Sequence, residues 1–176
     1  MADFKKYFPT LVQWEGAAYE DVEGDSGGPT KYGVILSEWV RLGYDKDADG
    51  DIDKFDLMKI NADDAIKIAK THYWDAFKSD QIVNQSIAEF IVDTAYNCGV
   101  PFTIKMVQKC TGVTVDGIFG NGTLKSINDA DQNALFEILK KARIQRYLDI
   151  VNKYPKNQKF LKGWMNRVNF FSFKIN

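Results

Sequence analysis

Apolar and polar positions follow a helical period along most of the chain. Phe4, Phe8, Leu11 and Val12 recur at i, i+4, i+7 and i+8, one face of a helix, with Pro9 predicting a kink or break inside it. A short helix is expected over Ser37–Leu42. Another spans 62–78, where Asn61 caps and Asp64 answers three residues on. The clearest stripe, Ile87, Phe90, Ile91, Thr94, Ala95 and Cys98, predicts a helix over 82–98 that Gly99 and Pro101 stop. Helices follow over 101–111 and near Gly122–Asn128. A long one over 131–154 has Leu135, Ile138, Leu139, Ala142, Tyr147, Leu148 and Val151 inward and ends at Pro155. Two short helical pieces close the chain. Between the first helices, Gly24, Gly27, Gly28, Pro29 and Gly33 interleave with Asp21, Asp25, Ser26 and Thr30. That composition breaks helices, so an irregular or β-hairpin segment is expected near residues 19–35. The prediction is a mainly α fold. A weak boundary divides 1–81 from 82–176, the two parts being expected to pack as one body.

Composition narrows the class. With 45% hydrophobic residues among 176, the chain can bury a core and is not globally disordered. No apolar run approaches the roughly 18 residues of a membrane helix. The start, Met1 to Tyr7, lacks the apolar stretch of a secretory signal. Cys98 and Cys110 fall on apolar helical positions and are expected as buried free thiols. The net charge of −1 hides an asymmetry: residues 1–66 hold 15 acids and 7 bases, residues 140–176 hold 10 bases and one acid, Asp149. The basic stretch is either the solvated face of a helix or a contact for an anionic wall polymer or membrane surface. No nucleic-acid motif accompanies it, so nucleic acid is not expected as a partner. The lone His72 and the lack of a nucleophilic Ser or Cys signature argue against a His-based triad.

The densest chemistry is N-terminal. Trp14-Glu15-Gly16 is followed by Tyr19, Asp21, Asp25, Ser26, Gly27, Gly28, Thr30, Tyr32 and Gly33. Glycosidic cleavage needs an acid still protonated near neutral pH, and a carboxyl beside apolar or aromatic neighbours suits that task. It also needs a carboxylate or a positioned water across the sugar. Glu15 fits the acid, Asp25 or Asp21 the second carboxylate, and Thr30 the positioning of water or substrate. On spacing alone, a capped helix followed by a polar loop accounts for the same residues.

Glu15-Gly16-x-x-Tyr19 and Asp25-x-Gly27-Gly28-x-Thr30-x-Tyr32-Gly33-Val34 together resemble the signature of glycoside hydrolase family 108. These are lysozyme-like N-acetylmuramidases, found among phage endolysins and bacterial secretion activator proteins. The family usually shows Glu-Gly-Gly-Tyr, and Ala17 stands here at the second glycine. The Glu-to-Thr spacing of fifteen also resembles that of phage-type lysozymes, whose middle carboxylate falls at what is Gly24 here, one residue before Asp25. Ala69-x-x-x-Tyr73-Trp74 is similar to the motif on the family's next helix. Asp93-x-Ala95-x-Asn97-x-Gly99, Gln108, Gly112, Val115-Asp116-Gly117-x-x-Gly120 and Thr123-Leu124 resemble its C-terminal predicted peptidoglycan-binding region. Arg143 and Phe160-Leu161-x-Gly163-Trp164-x-Asn166-Arg167-Val168 resemble its closing segment.

The resemblance implies a lysozyme-like fold and hydrolysis of the β-1,4 bond between N-acetylmuramic acid and N-acetylglucosamine. Glu15 is then the general acid, with Asp25 and Thr30 in support. Tyr19, Tyr32, Asn97 and Trp74 are candidate substrate contacts. The rival on the same scaffold is a non-catalytic wall-binding or secretion-accessory protein. A muramidase without a signal peptide is expected to be made in the bacterial cytoplasm and to reach the periplasm or wall by non-signal release, as through a holin-type partner.

A second constellation stands apart. In Asp45-Lys46-Asp47-Ala48-Asp49-Gly50-Asp51-Ile52-Asp53-Lys54-Phe55-Asp56, oxygen-bearing residues occupy positions 1, 3, 5, 7, 9 and 12, with glycine at 6. The pattern resembles an EF-hand Ca²⁺ loop, with Asp45, Asp47, Asp49, Asp51 (through its backbone carbonyl), Asp53 and Asp56 as ligands. Asp56 stands where glutamate is usual, which weakens the site or admits Mg²⁺. The flanks are too short for a helix–loop–helix pair. A structural Ca²⁺ that braces the fold is therefore the expectation, and a Ca²⁺-regulated interaction module is the rival. The alternative without metal is an exposed acidic turn.

Overall fold

The computed structural model describes residues 1–16, 18–20 and 28–175. They form two compact units, Lys5–His72 and Met1–Phe4 with Tyr73–Asn176. The break falls between His72 and Tyr73, nine residues before the sequence boundary at 81/82. The physical reason is that Trp74, Phe77 and Ile82 are fully buried and Phe4 meets the Trp74 ring edge-on at 5.6 Å.

Helix α1 (Phe4–Glu15), which belongs to the first unit from Lys5 on, runs through Pro9, which is exposed, without a break in the helix. Its buried face is Phe4, Tyr7 and Leu11, so Phe8 and Val12 sit at the margin of the stripe. Strands β1 (Thr30–Lys31) and β2 (Val34–Ile35) pair antiparallel, Thr30 with Ile35 and Lys31 with Val34. Helix α2 (Leu36–Leu42) buries Trp39. Helix α3 (Lys54–Lys59) leaves the acidic loop, and α4 (Ala62–Ile68) follows. Each of these last two starts with a reciprocal capping box, Asp53 with Asp56 and Asn61 with Asp64.

The helix expected over 62–78 changes form partway. A π-helical stretch, Ala69–Trp74, continues α4 and is followed by 3₁₀ turns at Asp75–Phe77 and Ser79–Gln81. The wider i, i+5 repeat places Ala69 and Trp74 on one side, and both are buried.

The second unit is a helical cluster. Helix α5 (Gln85–Cys98), capped by Asn84, packs on α6 (Val100–Thr111) and α8 (Gln132–Lys153). Helices α7 (Asn121–Asp129) and α9 (Gln158–Phe170) complete it. Ile87, Phe90, Ile91 and Ala95 are fully buried, as the stripe predicts.

The inward face of α8 departs from expectation. Leu135, Phe136, Leu139, Arg143 and Tyr147 are buried, whereas Ile138 and Leu148 are substantially exposed. Arg143 takes an inward position because Asp93 of α5 is there to receive it, at 2.7 Å. Arg167 of α9 reaches the other oxygen of the same carboxylate, also at 2.7 Å. One buried acid thus joins three helices. Cys98 and Cys110 are free and half-buried, and burial pushes both thiols up. No described helix is long and apolar enough to cross a membrane.

Candidate active site

Helix α1 ends on Glu15. Gly16 turns the chain in the left-handed region, φ +74°, and donates its N–H to the Val12 carbonyl. Glu15 is thereby delivered at the end of a rigid element, half-buried. What it lies against is the tip of the hairpin. Lys31 pairs with Val34, so the loop is two residues, Tyr32 and Gly33, with φ +52° and +76°. Two successive positive φ values make this a type I′ turn, whose twist suits tightly paired strands. A Cβ added to Gly33 would stand 2.5 Å from Glu15 Cβ and 2.6 Å from its Cγ. The glycine is the space the Glu15 side chain occupies.

The other flank of the hairpin is tied as well. Thr30 and Glu20 exchange both backbone hydrogen bonds at 2.8 Å, which makes a third, one-residue strand. Thr30 Oγ1 donates to the Gly28 carbonyl at 3.2 Å, so its oxygen lone pairs stay available to accept. Lys31 Nζ donates to the Met58 carbonyl at 2.6 Å and ties the hairpin to α3. Tyr19 and Tyr32 are half-buried in this same unit. Asp21 and Asp25, the candidate second carboxylates, lie outside the described residues.

Two candidate substrate contacts belong to the other unit. Trp74 is fully buried, with its indole N–H donated to Asp80 at 2.6 Å. It is a core residue and offers no face to a sugar, which corrects its place among the candidate substrate contacts. Asn97 is exposed near the end of α5, and its Oδ1 accepts from the Tyr147 hydroxyl. Burial pushes the Tyr147 phenol up, Arg143 Nε donates to it at 2.8 Å, and Trp164 stacks on its ring. Asn97 is therefore oriented from the core through Tyr147.

The acidic loop folds around its own carboxylates. Asp45 accepts from the N–H of Ala48 and of Gly50, at 2.6 and 3.0 Å. Ala48 and Gly50 adopt positive φ, the latter +103°, a conformation that glycine takes at no steric cost. Asp56 is fully buried and accepts three backbone N–H groups, from Lys46, Asp47 and Asp53. The Asp53 bond leads in holding its carboxyl below the usual range. The ligand atoms fall into two close groups, Asp45–Asp47–Asp49 and Asp51–Asp53–Asp56. The charge of Asp49, first among its acidic neighbours, pushes the Asp51 carboxyl up. Asp47 Oδ2 pairs with Lys59 at 3.1 Å, while its buried Oδ1 has no hydrogen-bond partner among the described residues.

Beside the loop is a polar anchor that sequence spacing did not reveal. Asp64 accepts from the Tyr44 hydroxyl at 2.9 Å, from Lys46 Nζ at 2.5 Å and from the Asn61 N–H at 2.8 Å. Its partners lie up to 20 residues away, and only the Asn61–Asp64 capping pair leaves a trace in the sequence.

Comparison with known proteins also divides the chain in two, but later, after helix α5. The family model of glycosyl hydrolase 108 matches residues 8–99, just over half of the chain. A predicted peptidoglycan domain matches residues 102–169. No curated protein matches the sequence. Among solved structures, SagA of Brucella abortus superposes with a TM-score of 0.80 at 25% identity, over 96% of this chain and 90% of that one. The fold is mainly α and lysozyme-like, as the resemblance implies.

Proposed function

Because this chain belongs to the glycosyl hydrolase 108 family, we propose that it is an N-acetyl-β-muramidase with Glu15 as its general acid. At the coarser level it is a glycoside hydrolase directed to peptidoglycan, since the catalytic family is joined to a predicted peptidoglycan domain. The observation that carries the finer reading is the seating of Glu15. Its side chain leaves a helix end and lies on the glycine of a tight hairpin turn, so its position is set by backbone on two sides. Fixed placement of the proton donor is what such chemistry requires.

In the proposed reaction the Glu15 carboxyl gives its proton to the bridging oxygen as the bond from muramic acid C1 to that oxygen breaks. N-acetylglucosamine leaves with the new O–H. Water adds to C1 and yields its own proton to a base, which restores the charge balance. Thr30, with an acceptor oxygen on the hairpin, is the proposed positioner of water or substrate, and Asp25 the proposed second carboxylate. Tyr19, Tyr32 and Asn97 are the proposed sugar contacts.

The acidic loop is proposed to hold a structural Ca²⁺ through Asp45, Asp47, Asp49, the Asp51 carbonyl, Asp53 and Asp56. The buried, unbonded Asp47 Oδ1 supports this reading, because a hard cation would satisfy that oxygen. Asp56 has already committed its carboxylate to three N–H groups. Its Oδ2 accepts only one of the three, from Asp53, and keeps a lone pair for the ion.

The deciding experiment is digestion of purified peptidoglycan by wild type and Glu15→Gln, with mass spectrometry of the fragments. The proposal requires reducing muramic acid ends from wild type alone. Anhydro-muramic ends would make the protein a lytic transglycosylase. Wall-bound protein with no soluble fragments would make it a non-catalytic binder.

A further inference from the structure

We propose that the cleft between α6 and α8 binds the carboxylate-bearing peptide stem of peptidoglycan. The inference rests on peptidoglycan being the substrate, and it adds a second recognition element outside the proposed catalytic site. The cleft has a volume of about 390 Å³, within the range of roughly 300–1,000 Å³ typical of ligand sites. Phe102, Lys105, Met106 and Lys109 line it from α6, at i, i+3, i+4 and i+7, and so share one helix face. Arg146 and Asp149 face them from α8.

The charge of this lining is lopsided. Lys105, Lys109 and Arg146 stand against one acid, Asp149, which already accepts from Gln145 Nε2 at 2.8 Å. None of the three cations is ion-paired among the described residues. The Arg146 guanidinium carbon lies 4.7 Å from the centre of the Phe102 ring, within cation–π range. Its Nε is buried and has no hydrogen-bond partner among the described residues.

A planar donor held on an aromatic ring with two lysines nearby is suited to carboxylates, and bidentate pairing with arginine supplies direction as well as charge. Met106 gives an apolar floor for small alkyl groups. The stem offers both, alanine methyls and several carboxylates, whereas a strand stripped of its stems keeps only the single lactyl carboxylate on each muramic acid and no alanine methyls. Stem recognition would select wall that still carries its peptides and hold the strand while the other unit works on it.

The test uses the full chain and the free tripeptide L-alanyl-γ-D-glutamyl-diaminopimelate, which has no glycosidic bond and so reports independently of hydrolysis. By calorimetry, Lys105→Gln/Lys109→Gln and, separately, Arg146→Gln should each raise the tripeptide's Kd at least tenfold. Amidation of the tripeptide carboxyls should abolish binding, and added salt should weaken it. The double variant should digest intact peptidoglycan more slowly but peptide-stripped strands at the wild-type rate. Should no digestion occur with any protein, the muramidase reading fails while the tripeptide measurement still decides this one. Wild-type affinity in the variants, or no tripeptide binding by wild type, overturns the proposal. Loss of binding to phosphatidylglycerol vesicles with tripeptide binding intact also overturns it and assigns the cleft to a lipid surface.

Discussion

The Glu15 side chain lies on the α-carbon of Gly33, leaving no room for even a methyl group there. Gly33 is also the second residue of a type I′ turn at φ +76°, so two separate constraints exclude a side chain. Gly33→Ala should therefore act on function before it acts on folding. The left-handed conformation costs alanine about 1–2 kcal/mol, while a 1 Å displacement of a catalytic group can cost about 100-fold in rate. The expected result is a loss of wall-digesting activity of roughly 10- to 100-fold with a folded protein by circular dichroism. Wild-type activity in a folded Gly33→Ala would detach Glu15 from the chemistry proposed for it.

The contrast between Gly33 and Arg143 shows what the sequence makes legible. Helix α5 could be read from local signals, because its stripe, its cap residue Asn84 and its stopping glycine Gly99 all fall within about fifteen residues. The hairpin could be placed but not built. Its glycines mark a turn, yet nothing local says that Glu15, eighteen residues earlier, fills the space over Gly33. Arg143 was hidden for a similar reason. A polarity pattern assigns an arginine to solvent, and its buried partner Asp93 lies 50 residues away. The same pattern turns Ile138 and Leu148 inward in its stead. Trp74 enters the candidate contacts through a motif resemblance, and a motif position does not distinguish a core ring from one that meets sugar.

The Asp93 carboxylate holds two arginines in the interior, Arg143 fully buried and Arg167 nearly so. Asp93→Asn keeps the volume and removes the buried negative charge that both guanidiniums contact. Breaking a buried pair in this way costs about 3–5 kcal/mol. At roughly 2–4 °C per kcal/mol for a chain of this size, the melting temperature should fall by about 10 °C. Replacing all three residues together, as Asp93→Leu/Arg143→Met/Arg167→Leu, should cost less than Asp93→Asn alone. A triple variant less stable than the single would mean that the charges stabilise in their own right.

Asp64 gives the loop region a pH dependence with a defined sign. Burial alone would raise its carboxyl, but hydrogen bonds from Lys46, the Asn61 N–H and Tyr44 together hold it below the usual range. A depressed folded value means that the unfolded chain takes up the proton first on acidification. The stabilisation is therefore fully present above the ordinary carboxylate range, near pH 4, and is lost as pH falls through the folded value. Asp64→Asn should lower the unfolding free energy by about 2 kcal/mol at pH 7, the scale of a charge-assisted hydrogen bond. Near pH 2 the two proteins should melt together. A difference that persists there would mean that shape, not charge, accounts for the residue.

The acidic loop should respond to substitution with opposite signs depending on metal. Six aspartates within twelve residues repel one another, as the raised Asp51 carboxyl beside Asp49 registers. In chelator, Asp49→Asn removes one source of that repulsion and keeps an oxygen to accept the Asp51 N–H. Its melting temperature should equal or slightly exceed that of wild type. With Ca²⁺ at about 100 times its Kd, binding to the folded chain adds roughly 2.7 kcal/mol, which raises wild-type melting by about 5–10 °C. Asp49→Asn has lost a ligand charge and should gain much less at the same Ca²⁺ concentration, so the order of the two proteins reverses. Asp56→Asn should be destabilised in both conditions, because three backbone N–H groups depend on its carboxylate whether or not metal is present. Thermal melts in chelator and in Ca²⁺ measure all three. Identical wild-type melting in the two buffers would leave the loop as a hydrogen-bonded turn with no metal to hold.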